Sequence, residues 1–128
     1  MDDVIYRIVG MEDWQRARER GRVPRCGADQ RDGFVHLSTR EGHLETAARF
    51  FEALESPIAL EIDPAALGDA LEWTAHEGGS PEPRLHAPGI PLAAIRAVIH
   101  LRIADEAFVH GEREALQTNH PGRQERAS

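Results

Sequence analysis

The segment His36-Leu37-Ser38-Thr39 concentrates side chains that could contact a polar ligand. An imidazole near neutral pH offers one or two N–H donors to a ribose hydroxyl or a phosphate. The four residues that begin at Ser38 (STRE) match a capping box, in which the Ser hydroxyl and the Glu carboxylate satisfy backbone N–H groups at a helix start. The N–H groups and dipole of a helix start also attract anions. The pattern therefore predicts ligand contacts from His36, Ser38 and Thr39.

Arg84 and His86 form a second group of candidate ligand-binding side chains, in a stretch rich in glycine and proline. Arg suits bidentate recognition of phosphate or carboxylate, and connecting segments often carry binding residues. Tyr6 on the predicted first strand could stack on the same ligand, with Arg7 pairing beside it. We expect the distant stretches to converge, so that His36, a helix start and Arg84 face a shared cleft.

Each of these residues also has a purely structural interpretation, which the sequence leaves open. His36 could bond to backbone, and capping alone explains Ser38. Arg84 could be a solvated loop cation. Tyr6 could be a core aromatic with its hydroxyl at the surface.

Composition and charge exclude several classes of function. The formal net charge is −7, so we expect no general attraction to nucleic acid or anionic lipid. Binding of a small nucleotide or phosphosugar at a local arginine site is still compatible with this charge. The single cysteine, Cys26, has no sequence support as a nucleophile, and no zinc-type spacing predicts a metal site. Four histidines are interpreted as lone surface residues: His43, His76, His100 and His110. The chain shows no secretory signal and no membrane-length apolar run, so we expect a cytoplasmic protein.

The elements that must position these residues begin with a strand over residues 4–9 and a helix over 11–20 that ends at Gly21. Residues 21–33 have the glycine and proline content of a loop.

A short strand over residues 34–37 carries the first candidate. Because side chains alternate along a strand, Val35 and Leu37 should share one face and Phe34 and His36 the other.

Helical periodicity follows Ser38. Five apolar residues recur at helical spacing and predict a helix that buries one stripe: Leu44, Ala47, Ala48, Phe51 and Leu54. Residues 58–62 alternate as in a half-buried strand, and Asp63-Pro64 is typical of a helix start.

The rest of the chain predicts two strands around a long loop. The strands lie over 71–73 and 95–103, and residues 74–91 show no regular pattern, which favours a functional or disordered loop. A short helix is expected after Ala104. We therefore predict one α+β domain over residues 1–104 and a partly disordered C-terminal extension over 105–128.

Four segments resemble those of a bacterial family, the domain of unknown function 952: residues 5–8 (IYRI), 32–39 (DGFVHLST), 67–73 (LGDALEW) and 83–86 (PRLH). The resemblance covers roughly residues 4 to 103, and the segment DGFVHLS is its most specific part. It implies a compact mixed or antiparallel sheet with two main helices. The family is grouped by fold with the ADP-ribosyltransferase-like superfamily, which includes NAD-consuming transferases and tRNA 2′-phosphotransferases, and it brings no characterised activity.

The chain departs from this family pattern where a catalytic carboxylate is expected. The family has Glu directly after the Trp and Arg before the paired glycines, and Thr74 and Glu77 stand there instead. Glu72 and Glu77 are the nearby carboxylates that could replace the missing acid.

The resemblance implies two functions and leaves the choice open. The first is a transferase or NAD glycohydrolase that takes NAD as a substrate and breaks its bond to nicotinamide through an oxocarbenium-like state, as in glycoside hydrolysis. The second is a non-catalytic module that binds the small molecule and has lost the acid. A metal-independent hydrolase or a small interaction domain has no specific support, and the oligomeric state is not indicated.

Overall fold

The computed structural model describes residues 4–51, 57–76 and 79–116, which form a mixed α+β fold built mainly from antiparallel strands. The helices are α1 Met11–Arg20, α2 Gly27–Asp32 and α3 His43–Phe50, with 3₁₀ helices at Pro64–Ala70 and Leu92–Ala94. The strands are β1 Ile5–Val9, β2 Arg22–Pro24, β3 Val35–His36, β4 Ser38–Thr39, β5 Ile58–Ile62, β6 Leu71–His76, β7 Gly79–Leu85, β8 Gly89–Pro91, β9 Ile95–Ala104 and β10 Ala107–Ala115. In the described part of the chain, no helix is long and apolar enough to cross a membrane.

Three sheets organise these strands. The largest has the order β10-β9-β5-β1-β4, a three-stranded sheet has the order β3-β7-β6, and β2 pairs with β8. The short stretch from β3 to β4 joins two of them, because β3 pairs with β7 and β4 pairs with β1. Val35 and Leu37 in this stretch are both buried, which confirms the predicted alternation.

The large sheet is covered on both faces. Ile58, Leu60 and Ile62 of β5 belong to one apolar cluster, which includes Trp14 of α1. The intervening Ala59 belongs to a second cluster with Ala47 of α3. Because all of β5 is buried, the prediction that it is half-buried is wrong.

The helix predictions depended on local signals, which succeed at the end of α1 and at the predicted helix start, where the Asp63 side chain accepts from the Ala65 N–H. α1 has the predicted bounds, and Gly21 adopts φ 88° while its N–H donates to the Ala17 carbonyl. The predicted capping box is wrong, because Ser38 lies in β4 opposite Tyr6 and α3 begins only at His43. Pairing with β1 satisfies the backbone of Ser38 in place of a helix. The end of the predicted stripe, Leu54, lies outside the described residues.

Two segments predicted as loops contain regular structure. Residues 21–33 form β2 and α2, and residues 74–91 contain the end of β6 and all of β7 and β8. The expected helix after Ala104 is also wrong, since β10 pairs with β9 from Ala107 to Ala115. The predicted domain boundary at residue 104 thus falls between two hydrogen-bonded strands, and residues 117–128 lie outside the described part. β2 pairs with β8, and β7 pairs with β3, so partners distant in sequence override the local glycine and proline signals in these strands.

Candidate functional site

One row of the three-stranded sheet brings the main candidates together. Arg84 on β7 lies directly opposite His36 on β3 and directly opposite Glu72 on β6. Residues paired in this way have Cβ atoms about 4.5–5.5 Å apart, so these three side chains are neighbours. Phe34 lies two residues before His36, and His86 lies two residues after Arg84, so both side chains join the same surface. We call the surface formed by these five residues the polar face.

Arg84 has the distinctive environment on the polar face. Its guanidinium carbon lies 4.4 Å from the centroid of the Phe34 ring, a cation–π contact that orients the group. Its Nε is buried and lacks a hydrogen-bond partner. Among the described residues no side chain forms an ion pair with Arg84, and its two terminal nitrogens make no hydrogen bond. The guanidinium is therefore held in place while its terminal donors remain available.

His36 is held at both ring nitrogens. Its Nδ1 lies 2.7 Å from Asp29 Oδ1, and its Nε2 lies 2.9 Å from Asp32 Oδ2. Its backbone N–H also donates to Asp29 Oδ1, at 3.0 Å. The side chain is 40% exposed, so the imidazole is not sealed in an apolar interior. The imidazolium form can donate to both carboxylates at once.

A buried ion pair supports His36 from beneath. Asp29 is completely buried, and its Oδ2 accepts from Arg7 Nη2 at 2.6 Å and from the Cys26 backbone N–H at 2.9 Å. Arg7 Nη1 donates to the His36 carbonyl at 2.7 Å. Burial alone would raise the pKa of Asp29, but hydrogen bonds from Arg7, His36 and Cys26 hold that pKa well below its usual range. Arg7 therefore fixes the protein and does not extend toward a ligand.

Glu72 and His86 form the outer edge of the polar face. Glu72 Oε1 lies 2.6 Å from His86 Nε2, and each side chain is about half exposed. The His86 backbone N–H donates to the Ala70 carbonyl at 2.8 Å, which fixes its main chain beyond the end of β7. A carboxylate thus lies next to Arg84 but is tied to an imidazole.

Three predicted ligand-binding residues do not join the polar face. Tyr6 is only 2% exposed and packs in the second apolar cluster. Ser38 Oγ donates to Thr46 Oγ1 at 3.2 Å, and Thr39 Oγ1 accepts from the Gly42 N–H at 3.1 Å. Ser38 and Thr39 lie in β4, and α3 begins at His43, so these two residues are not at the helix start where they were predicted.

Two further points concern the acidic and metal-binding groups. The candidate Glu77 lies outside the described residues. Within residues 4–51, 57–76 and 79–116, no group of three or more His, Cys, Asp or Glu side chains could hold a metal ion.

Sequence reasoning missed a pair of histidines on the other side of the large sheet. His43 is only 2% exposed, and its ring stacks on Tyr6 with centroids 3.9 Å apart. Its Nδ1–H donates to the Arg40 carbonyl at 2.8 Å, so its Nε2 must accept from His110 Nε2, which lies 2.7 Å away. The prediction of a lone surface residue at position 43 is therefore wrong. The two residues are separated by 67 positions, and no sequence spacing indicates the contact.

This pair predicts a pH dependence of stability. Burial lowers the pKa of His43 by more than its hydrogen bond to the Arg40 carbonyl raises it, and the positive charges of His110 and Arg40 lower it further. The folded state therefore binds fewer protons than the unfolded state, so the stability contributed by His43 is present above the unfolded pKa of about 6.5 and is lost as the pH falls below it. We expect His43→Phe, which keeps an aromatic ring over Tyr6, to lose less stability than the wild type between pH 7.5 and 5.0 in urea unfolding.

A matched His100→Phe variant controls for removal of any histidine. It should retain the wild-type loss of stability over the same pH range. If the free energy of unfolding falls with pH equally in His43→Phe and in the wild type, the His43 imidazole does not cause the pH dependence.

Comparison with known proteins identifies the family to which this chain belongs. The family model described as Protein of unknown function (DUF952) matches residues 8–98. The crystal structure of protein CC0527 from Caulobacter crescentus is 30% identical, covers 84% of this chain and 93% of its own, and superposes with a TM-score of 0.73. The solution NMR structure of CC0527 is 30% identical, with 82% of this chain and 90% of its own covered and a TM-score of 0.69. None of the curated proteins matches the chain. The chain belongs to the DUF952 family of proteins of unknown function.

Proposed function

We propose that the polar face binds the phosphate and ribose of a small-molecule nucleotide or phosphosugar. The observation that carries this proposal is the environment of Arg84, a guanidinium oriented by Phe34 and lacking any ion-pair partner among the described residues. The buried Nε costs stability because it lacks an acceptor, and the terminal nitrogens remain available to a ligand anion. His36 and His86 flank Arg84, and each can donate to a ligand oxygen that replaces its exposed carboxylate partner, Asp32 or Glu72.

The reaction we propose for this site is of the ADP-ribosyltransferase-like class, with NAD as a substrate. The bond between ribose C1′ and the nicotinamide nitrogen breaks, and nicotinamide leaves with the bonding electrons. An acceptor, water in the hydrolytic case, attacks C1′ and gives up a proton. Glu72 lies beside Arg84 in the sheet row, where its carboxylate can stabilise the positive ribose in the transition state.

One observation favours the alternative of a non-catalytic binding module. The Glu72 carboxylate is already paired with His86 at 2.6 Å, and Thr74 occupies the position where the family pattern has Glu. In the module, the Glu72–His86 pair would serve to fix the edge of the binding face.

Glu72→Gln separates the two functions. If the protein is an enzyme, incubation with NAD releases nicotinamide, and loss of the carboxylate should reduce the release rate by about 100-fold or more. The NAD-induced rise in melting temperature should persist in the variant, because Arg84 and His36 remain and a ligand that binds only the native state stabilises it.

Glu12→Gln, on the exposed side of α1, is the matched control and should release nicotinamide at the wild-type rate. A thermal shift without release by the wild type selects the binding module. If the wild type shows no thermal shift and no release, with NAD and with phosphosugars, both functions are contradicted.

A further inference from the structure

Arg25 lies at one end of the polar face, in the segment that joins β2 to α2. Its Nε donates to the Ala87 carbonyl at 3.0 Å, and its Nη2 donates to the Gly33 carbonyl at 3.2 Å. Ala87 directly follows His86, and Gly33 directly precedes Phe34. The guanidinium therefore lies next to the main chain of two residues of the polar face.

The Arg25 guanidinium keeps donors for a ligand. A guanidinium has five N–H donors, and the two carbonyls use one on Nε and one on Nη2, so both donors of Nη1 and the second of Nη2 remain. Within residues 4–51, 57–76 and 79–116, no carboxylate forms an ion pair with Arg25. The side chain is partly buried, and its two backbone contacts restrict its movement. Like Arg84, it is a fixed cation with available donors.

Arg25 and Arg84 border the same part of the polar face. The guanidinium carbon of Arg84 lies 4.4 Å from the centroid of the Phe34 ring, and Arg25 contacts the carbonyl just before Phe34. The ring centroids of Phe34 and His86 are 6.0 Å apart, and Arg25 also contacts the carbonyl just after His86. Two guanidiniums at one end of a binding surface suit a ligand that carries adjacent anionic groups.

We propose that Arg25 is a further ligand-binding residue, which contacts the second phosphate of a diphosphate whose first phosphate binds Arg84. This inference rests on the proposed function, because it assumes that a phosphate binds at Arg84. It narrows the ligand class to nucleoside diphosphates and their esters, a class that includes NAD. The two phosphates of such a ligand share one bridging oxygen, so their charges are close enough for two neighbouring arginines.

AMP and ADP are a matched pair of probes, because they share adenosine and differ by one phosphate. Isothermal titration of the full chain, in buffer without divalent cations, should show that the wild type binds ADP about tenfold or more tightly than AMP. In Arg25→Ala the affinity for ADP should fall by about tenfold or more, while that for AMP changes by less than about threefold. The remaining preference is small, since only the larger charge of ADP still favours it.

Two further variants separate phosphate binding from a structural role, because Arg25 also links the carbonyls of Gly33 and Ala87. Arg25→Lys keeps the charge but cannot bridge two carbonyls, so it should recover part of the preference for ADP. Arg22→Ala, at an exposed arginine of β2, changes the net charge equally and should keep the full preference. Thermal melts should show that all three variants fold. A residue that only links the two segments would weaken the binding of both nucleotides equally.

The outcomes separate this inference from the function on which it rests. The inference is overturned if the wild type does not prefer ADP, or if Arg25→Ala keeps the preference or weakens both nucleotides equally. Binding of AMP that depends on Arg84 would still support the proposed function in each of these cases. If neither nucleotide binds, the inference is overturned as well, and the proposed function falls with it when NAD and phosphosugars also give no thermal shift.

Discussion

Asp29→Asn is expected to destabilise the protein by about 3–5 kcal/mol, the cost of breaking a buried ion pair by removing one partner. All the groups that contact the Asp29 carboxylate are donors: the Arg7 guanidinium, the Cys26 N–H, and the N–H and Nδ1 of His36. An Asn amide must turn its NH₂ group toward one of these donors. The substitution also leaves the positive charge of Arg7 buried without a counterion. A loss of this size is a large part of the 5–15 kcal/mol that stabilises a typical domain.

Urea unfolding at pH 7 measures this loss. Asp32→Asn is the control, since Asp32 contacts the same imidazole from the exposed side and should change the free energy of unfolding far less. A small effect at position 29, equal to that at position 32, would show that the buried pair does not hold the fold together.

The elements that the sequence predicts correctly are those set by local patterns. α1 ends where Gly21 supplies the left-handed conformation, and β9 covers almost the same residues that are predicted as a strand. The alternation over residues 34–37 also places His36 opposite the buried face, because the strand period is independent of the partner strand.

The errors arise where distant partners decide the structure. The Ser38 segment has the local chemistry of a helix start, yet pairing with Tyr6 on β1 makes it a strand. Likewise β7 lies between β3 and β6 in spite of Pro81 and Pro83. Hydrogen bonds to both neighbours outweigh the local preference of this segment for irregular structure.

The candidate site divides in the same way. The sequence predicts that His36 and Arg84 converge, and the structure makes them direct neighbours on adjacent strands. The sequence does not indicate the ion pair between Arg7 and Asp29 that supports them. The two residues are 22 positions apart, and Asp29 lies in a segment with the composition of a loop. The residues that face solvent are thus indicated by their own chemistry, whereas those that fix the geometry are set by contacts between distant parts of the chain.

Arg84→Ala is expected to reduce AMP affinity by about 30–100-fold, since hydrogen bonds to charged groups contribute about 1.5–3 kcal/mol each. Arg84→Lys should recover only part of that affinity, because an ammonium cannot reproduce the bidentate geometry of the guanidinium. Isothermal titration measures both values, and Arg16→Ala, which removes an exposed arginine of α1, should bind AMP like the wild type.

The same substitution should leave the unliganded protein almost as stable as before. Arg84 forms no ion pair with the described residues, and its buried Nε lacks an acceptor. Truncation therefore removes the Phe34 contact, which stabilises the fold, together with an unsatisfied donor, which destabilises it. A purely structural arginine would show the reverse, a large drop in melting temperature with AMP affinity unchanged in the folded fraction. Loss of binding without loss of stability would therefore mean that Arg84 is kept on the polar face for a ligand, whereas wild-type affinity in Arg84→Ala would remove the basis of the proposed site.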